Sequence, residues 1–169
     1  TGSAMDMRIH EETASAIIQA WYPGARAGKD IAEIIYGEIS PSGKLPITFY
    51  NSDEDLPDFH DYSLKNRTYR YFEGTPLYPF GYGLTYGNCK ATAITASGNT
   101  SNAKLTVTVK NEGNFATEDV LQIYIKDEKS GCDVLNHRLC AFKRVSLAAG
   151  EEKQVEIDLA PRSFTTVDD

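Results

Sequence analysis

Cysteine, histidine and tryptophan are scarce, with three, three and one in 169 residues. Cys89, Cys132 and Cys140 have neither the number nor the spacing of a zinc site or a disulfide framework. They read as half-buried thiols, with a Cys132–Cys140 bridge across a strand turn left open for an oxidising compartment. His10, His60 and His137 are scattered, none with a second histidine four residues away, so surface positions explain them and no metal or other cofactor is expected. Basic charge is short as well: 17 Lys and Arg against 24 Asp and Glu leave a net charge of −7. That balance argues against nucleic acid as a partner, because phosphate binding needs a basic face. No run of eighteen apolar residues occurs, which excludes a membrane-spanning helix, and no basic amphipathic stretch suggests anchoring at a membrane surface. There is no Gly-rich phosphate loop after a strand and no serine in a nucleophile elbow. No secretory signal opens the chain. Thr1-Gly2-Ser3-Ala4-Met5-Asp6 reads as an expression scar, residues 1–15 as a poorly defined lead-in, and the native compartment stays unassigned.

What is present is a core's worth of apolar residues, 41% of the chain, and one stretch unlike its surroundings. Residues 67–86 carry seven Tyr or Phe, interrupted by Gly74, Pro76, Pro79, Gly81 and Gly83. Neither a long helix nor a paired strand fits that punctuation. An extended strap wedged between two bodies does, since aromatic rings bury large areas and keep polar tips.

Upstream, the apolar run 16–22 predicts a buried strand ending at Pro23-Gly24. Residues 29–36 predict an amphipathic helix, with Ile31, Ile34 and Ile35 on one face, Asp30 and Glu33 turned outward and Gly37 as its stop. After the turn Pro41-Ser42-Gly43, residues 45–50 predict a short strand with Pro46 at its start. This strand-helix-strand unit is too small to stand alone and reads as the remnant of an α/β domain. Residues 51–61 form an acidic surface loop. Downstream, strands are expected at 89–96, 104–110, 120–125, 138–147 and 153–159, with turns at 111–114 and 148–151, the spacing of a small β-sandwich.

Trp21-Tyr22-Pro23-Gly24, Ile31-Ala32-Glu33-Ile34-Ile35-Tyr36-Gly37 and Pro41-Ser42-Gly43-Lys44-Leu45-Pro46-Ile47-Thr48-Phe49 resemble the C-terminal third of family-three glycoside hydrolases. The likeness continues through Tyr69-Arg70-Tyr71-Phe72, Leu77-Tyr78-Pro79-Phe80-Gly81-Tyr82-Gly83-Leu84-Thr85-Tyr86, Val107-Thr108-Val109-Lys110-Asn111-Glu112-Gly113, Phe142-Lys143-Arg144-Val145 and Gly150-Glu151. Asp55-Leu56-Pro57, Asp61-Tyr62 and the run from Asn66 to Phe72 look more like the β-xylosidase branch than the β-glucosidase branch. Ala25-Arg26-Ala27-Gly28-Lys29 departs from the more glycine-rich start of the helix in that family, most clearly at Lys29.

The resemblance implies a mainly β fold, an immunoglobulin or fibronectin type III-like β-sandwich preceded by the strand-helix-strand remnant. It implies residues 16–66 as the end of an α/β sandwich domain, 67–87 as the aromatic linker, and 88–169 as the fibronectin type III-like unit, lacking its last strand. It also implies retaining hydrolysis by a paired nucleophile and acid/base carboxylate. Both are expected upstream of Trp21, so no catalytic residue is expected here and the chain alone should be inactive.

Asp53, Glu54, Asp55, Asp58 and Asp61 cluster on one loop and read as solvated, not as a pair with separated pKa values. Trp21, Tyr22, Tyr69 and Tyr71 could stack on sugar rings of a xylan-type or β-glucan-type oligosaccharide, with Arg67 and Arg70 donating to hydroxyls, though a strap needs the same aromatics for packing. An open sandwich edge could also recruit a second copy into a homodimer. Asn66-Arg67-Thr68 and Asn99-Thr100-Ser101 fit the glycosylation triplet, which matters only in a eukaryotic secreted protein.

Overall fold

The computed structural model describes residues 2–128 and 136–165. Five strands carry the fold: β1 Cys89–Ser97, β2 Lys104–Asn111, β3 Thr117–Ile125, β4 Arg138–Leu147 and β5 Glu152–Asp158. They form two antiparallel sheets, β1-β2-β5 and β3-β4. Strict alternation in β2 places Leu105, Val107 and Val109 on one face, and in β5 places Val155 and Ile157 on the same face opposite Val107 and Leu105. Val145 and Leu147 of β4 and Leu159 complete the buried cluster, with Leu121 and Ile123 of β3 packed against it. Each fully buried aliphatic side chain contributes about 2 kcal/mol.

Among the described residues four polar side chains are buried, Thr48, Asn111, Thr117 and Ser163, and Asn111 is the deepest. Asn111 is fully buried, and its amide serves three turns. Its Oδ1 accepts from Asn88 N (3.1 Å) and Gly113 N (3.0 Å). Its Nδ2 donates to Phe115 O (2.8 Å) and Ala148 O (3.1 Å). Every strong bonding position of the side chain is thus used, which is what makes its burial tolerable.

The N-terminal part differs from the sequence expectation in three places. Its first element is a short helix, α1 Arg8–Thr13, and the run 16–22 has no ladder partner among the described residues. A buried strand exists only through neighbours on its edges; without them Ile17 and Ile18 stay 37% and 46% exposed. The expected helix is present as α2 Ala27–Ile35, with Ala27, Ile31 and Ile34 half-buried. Ile35, however, is 62% exposed, and Glu33 lies half-buried against Lys29 at 2.9 Å. Lys29 therefore points to solvent and pairs within its own helix.

The expected strand at 45–50 is reduced to a single bridge between Phe49 and Tyr78. This segment does run against the strap, with Phe49 N to Tyr78 O at 2.9 Å, Leu45 N to Tyr82 O at 2.8 Å and Gly81 N to Leu45 O at 2.7 Å. Pro46 and Pro79 supply no N–H between those points, and the ladder breaks there. The strap is extended apart from one helical turn, α3 Thr68–Tyr71.

Candidate functional site

Residues 67–86 hold the N-terminal part against the β3-β4 sheet, and the candidate carbohydrate-contact residues lie on or beside them. Tyr69 stacks on Phe80 at a centroid distance of 4.1 Å and meets Tyr124 of β3 edge-on at 6.4 Å. Its hydroxyl accepts from Leu139 N of β4 at 3.0 Å. The Gln122 side chain donates to Gly81 O at 3.2 Å, and the Tyr124 hydroxyl donates to Gln122 in turn. Gly81 has φ +83°, and a Cβ there would overlap the Gln122 and Tyr124 side chains. A second seam lies at Gly83, whose carbonyl accepts from Lys44 Nζ at 2.8 Å; the same ammonium pairs with Asp119 of β3. The aromatic seam extends through Tyr78 and Tyr82, stacked at 5.2 Å, then Phe49, then Trp21 at 6.4 Å from Phe49.

The six candidates do not converge. Arg67 turns its guanidinium into the loop before it, donating to the carbonyls of Pro57 (3.3 Å), Asp58 (2.8 Å) and Asp61 (3.1 Å). Three carbonyls on one planar donor fix that loop in place. Leu64, Asn66 and Thr68 near it all have positive φ, at +61°, +54° and +56°. Asn66 also donates to Asp55 O and accepts from Glu73 N, so its amide is engaged at both ends. Arg70 lies 5.7 Å from the Tyr71 ring centroid, and its Nε is buried without a partner. Tyr71 is half-buried. Trp21 is half-buried with φ +51°, while Tyr22 is 83% exposed. Tyr22 is thus the one candidate whose ring stands mostly in solvent.

The carboxylates of the acidic loop stand mostly in solvent. Asp53, Glu54, Asp58 and Asp61 are exposed, and Asp55 closes a capping box with Ser52. The Asp61 carboxyl is held below its ordinary value by hydrogen bonds from the Ser63 backbone and side chain. Burial pushes the Cys89 and Cys140 thiols up, away from the thiolate a nucleophile needs. Cys132 lies outside the described residues, and with it the Cys132–Cys140 pairing. No cluster of metal-ligating side chains and no membrane-length apolar helix occurs among the described residues.

Sequence reasoning missed Lys44, Asp119, Gln122, Tyr124 and Asn136. The last donates to Tyr69 O and Phe72 O at 2.9 and 3.0 Å, securing the single turn of α3. Their common role is to hold the strap, and only its glycines signalled that something packs so closely.

Residues 1–86 match the model of the Glycosyl hydrolase family 3 C-terminal domain, and residues 119–169 that of a Fibronectin type III-like domain. The chain belongs to glycosyl hydrolase family 3. The match begins at residue 1 and so includes the lead-in set aside on sequence grounds. The family 3 chain is 39% identical to a xylan 1,4-β-xylosidase from Xylanibacter ruminicola, over 97% of its own length and 19% of that protein. It is 33% identical to a β-glucosidase from Bacteroides ovatus, covering 100% of the chain and 25% of the relative. Among solved structures, β-glucosidase 3B from Thermotoga neapolitana, in complex with glucose, superposes with a TM-score of 0.86 at 29% identity, over 93% of this chain and 24% of that one. The family 3 chain therefore spans 19–25% of the length of these relatives, and its fold is mainly β, a sandwich of two sheets.

Proposed function

We propose that the chain is the non-catalytic C-terminal portion of a β-glycosidase of the β-xylosidase or β-glucosidase type, acting on plant cell-wall oligosaccharides, in which it has a structural or accessory role. On this reading residues 16–66 close an α/β unit, 67–87 strap it to the sandwich, and 88–169 form the sandwich. The supporting observation is that the side chains best suited to sugar recognition serve packing: Tyr69 between Phe80 and Tyr124, Arg67 on three loop carbonyls. Likeness to a named β-xylosidase along nearly the whole chain supports the parent activity. Incubating the isolated chain with aryl β-xyloside and aryl β-glucoside should give no turnover; hydrolysis of either by the chain alone would overturn the reading.

A carbohydrate-binding role is favoured by one feature, the exposed Tyr22 ring next to half-buried Trp21. Titration with xylan and cello-oligosaccharides should then saturate and be weakened by Tyr22→Ala. A flat response with every sugar rejects it.

A further inference from the structure

Residues 51–61 carry five carboxylates, Asp53, Glu54, Asp55, Asp58 and Asp61, and neither lysine nor arginine. The loop is nevertheless tightly held. Arg67 donates to the carbonyls of Pro57, Asp58 and Asp61, and Asp61 N closes a turn on Asp58 O at 2.9 Å. At the loop's two ends the Tyr50 hydroxyl accepts from Thr68 N at 2.9 Å, while the Tyr50 ring meets buried Phe72 edge-on at 4.9 Å. This fixed tip turns two aromatic rings outward: Phe59 is 82% exposed and Tyr62 83%. Burying either ring would gain about 2 kcal/mol. Instead the turn that carries them borders an open depression of about 310 Å³, lined by Leu56, Pro57, Asp61, Lys65 and Asn66. That volume lies at the lower end of the range of small-molecule sites.

We propose that this tip is a binding site for a neutral β-linked saccharide, with the faces of Phe59 and Tyr62 as stacking surfaces and the Asp58 and Asp61 carboxylates as acceptors for its hydroxyls. A sugar ring offers slightly positive C–H groups to the negative face of an aromatic ring, and a tip already fixed loses little freedom in receiving it. Charge selects this occupant. A protein surface seated here would have to strip water from the carboxylates, which interface cores avoid and which costs several kcal/mol per ion. A second copy meeting the tip about a twofold axis would set two such acidic loops together. Hydroxyls instead donate to the carboxylates directly, while a uronate would be repelled. None of the rings read from the sequence as sugar contacts belongs to this site, and Arg67 enters only as the anchor of its loop. The class of saccharide rests on the glycosidase reading.

Calorimetric titration of the whole chain with xylohexaose and with cellohexaose should give saturable binding to at least one of them, and tetragalacturonate should give none. Phe59→Ala and Tyr62→Ala, at solvent-facing positions, should each weaken the binding by about tenfold with an unchanged Tm. Tyr22→Ala should leave it intact. Absence of saturable binding, equal binding of the galacturonate, wild-type affinity in both ring variants, loss of binding through Tyr22→Ala, or a dimer of the chain that the ring variants abolish would overturn the proposal. The two readings fail separately. Turnover of an aryl glycoside by the isolated chain overturns the non-catalytic reading while leaving the effect of the ring variants in place, and ring variants without effect overturn the tip while leaving that reading standing.

Discussion

Lys44 Nζ stands 2.8 Å from Asp119 Oδ1, with the two side chains only 17% and 18% exposed. The pair joins the segment before the strap to the third strand of the sandwich, and its members are not equivalent. Lys44 also holds Gly83 O, so Lys44→Met strands both a carboxylate and a carbonyl. Asp119→Asn leaves the ammonium its bond to Gly83. Removing one member of a largely buried pair costs several kcal/mol, so Lys44→Met should destabilise by about 3 kcal/mol and Asp119→Asn by about half that. Urea unfolding of the two variants tests the order; equal losses would contradict it.

Tyr69 offers a cleaner separation of packing from hydrogen bonding. Tyr69→Phe keeps the stack on Phe80 and removes the acceptor for Leu139 N, at a cost of about 1 kcal/mol. Tyr69→Ala removes both and should cost about 3 kcal/mol. Thermal unfolding of the two variants gives the comparison, and a harmless Tyr69→Ala would place the ring outside the packing.

Gly83→Ala should be among the most damaging substitutions, because the new Cβ would overlap the Gly43 carbonyl oxygen, which is backbone and cannot swing aside. The expected loss is about 3 kcal/mol. Gly43→Ala, where a Cβ meets nothing within 4 Å, is the matched control and should be close to neutral. Chemical denaturation of the two distinguishes crowding at the seam from a general effect of losing glycine.

Tyr78 should titrate late. Burial, and then the Glu11 carboxylate that accepts its hydroxyl, push its pKa up from the ordinary value near 10 to about 12. A raised phenol contributes stability that is complete below the ordinary value and lost as pH rises through about 12. Ultraviolet titration should show one tyrosine ionising near pH 12, absent in Tyr78→Phe and moved part of the way back in Glu11→Gln. A Tyr78→Phe titration identical to the wild type would refute the assignment.

The sandwich was legible because alternation is a local signal. Residues 138–147 were read at the observed bounds of β4, and the other four strands to within three residues at either end. The region before the strap was harder, because its pattern depends on partners. The run 16–22 has the composition of a buried strand but joins no sheet among the described residues, and 45–50 meets a strap whose prolines break the ladder. The same limit governs the site. Arg67 looks from its neighbours like a sugar ligand, and only the return of residues 57–61 toward it reveals three carbonyls as its targets. Lys44 and Asp119 are 75 positions apart, and nothing local marks either as half of a pair.

Asn111 makes three turns of the sandwich depend on one side-chain amide. Its amide nitrogen donates while its oxygen accepts, and the three turns it joins are arranged for that polarity. Deamidation exchanges one NH2 for an oxygen, which changes the mass by a single unit but turns a double donor into an acceptor facing the Phe115 and Ala148 carbonyls. A change of one heavy atom, as in Asn111→Asp, would thus loosen the strap's exit, the β2-β3 turn and the β4-β5 turn together.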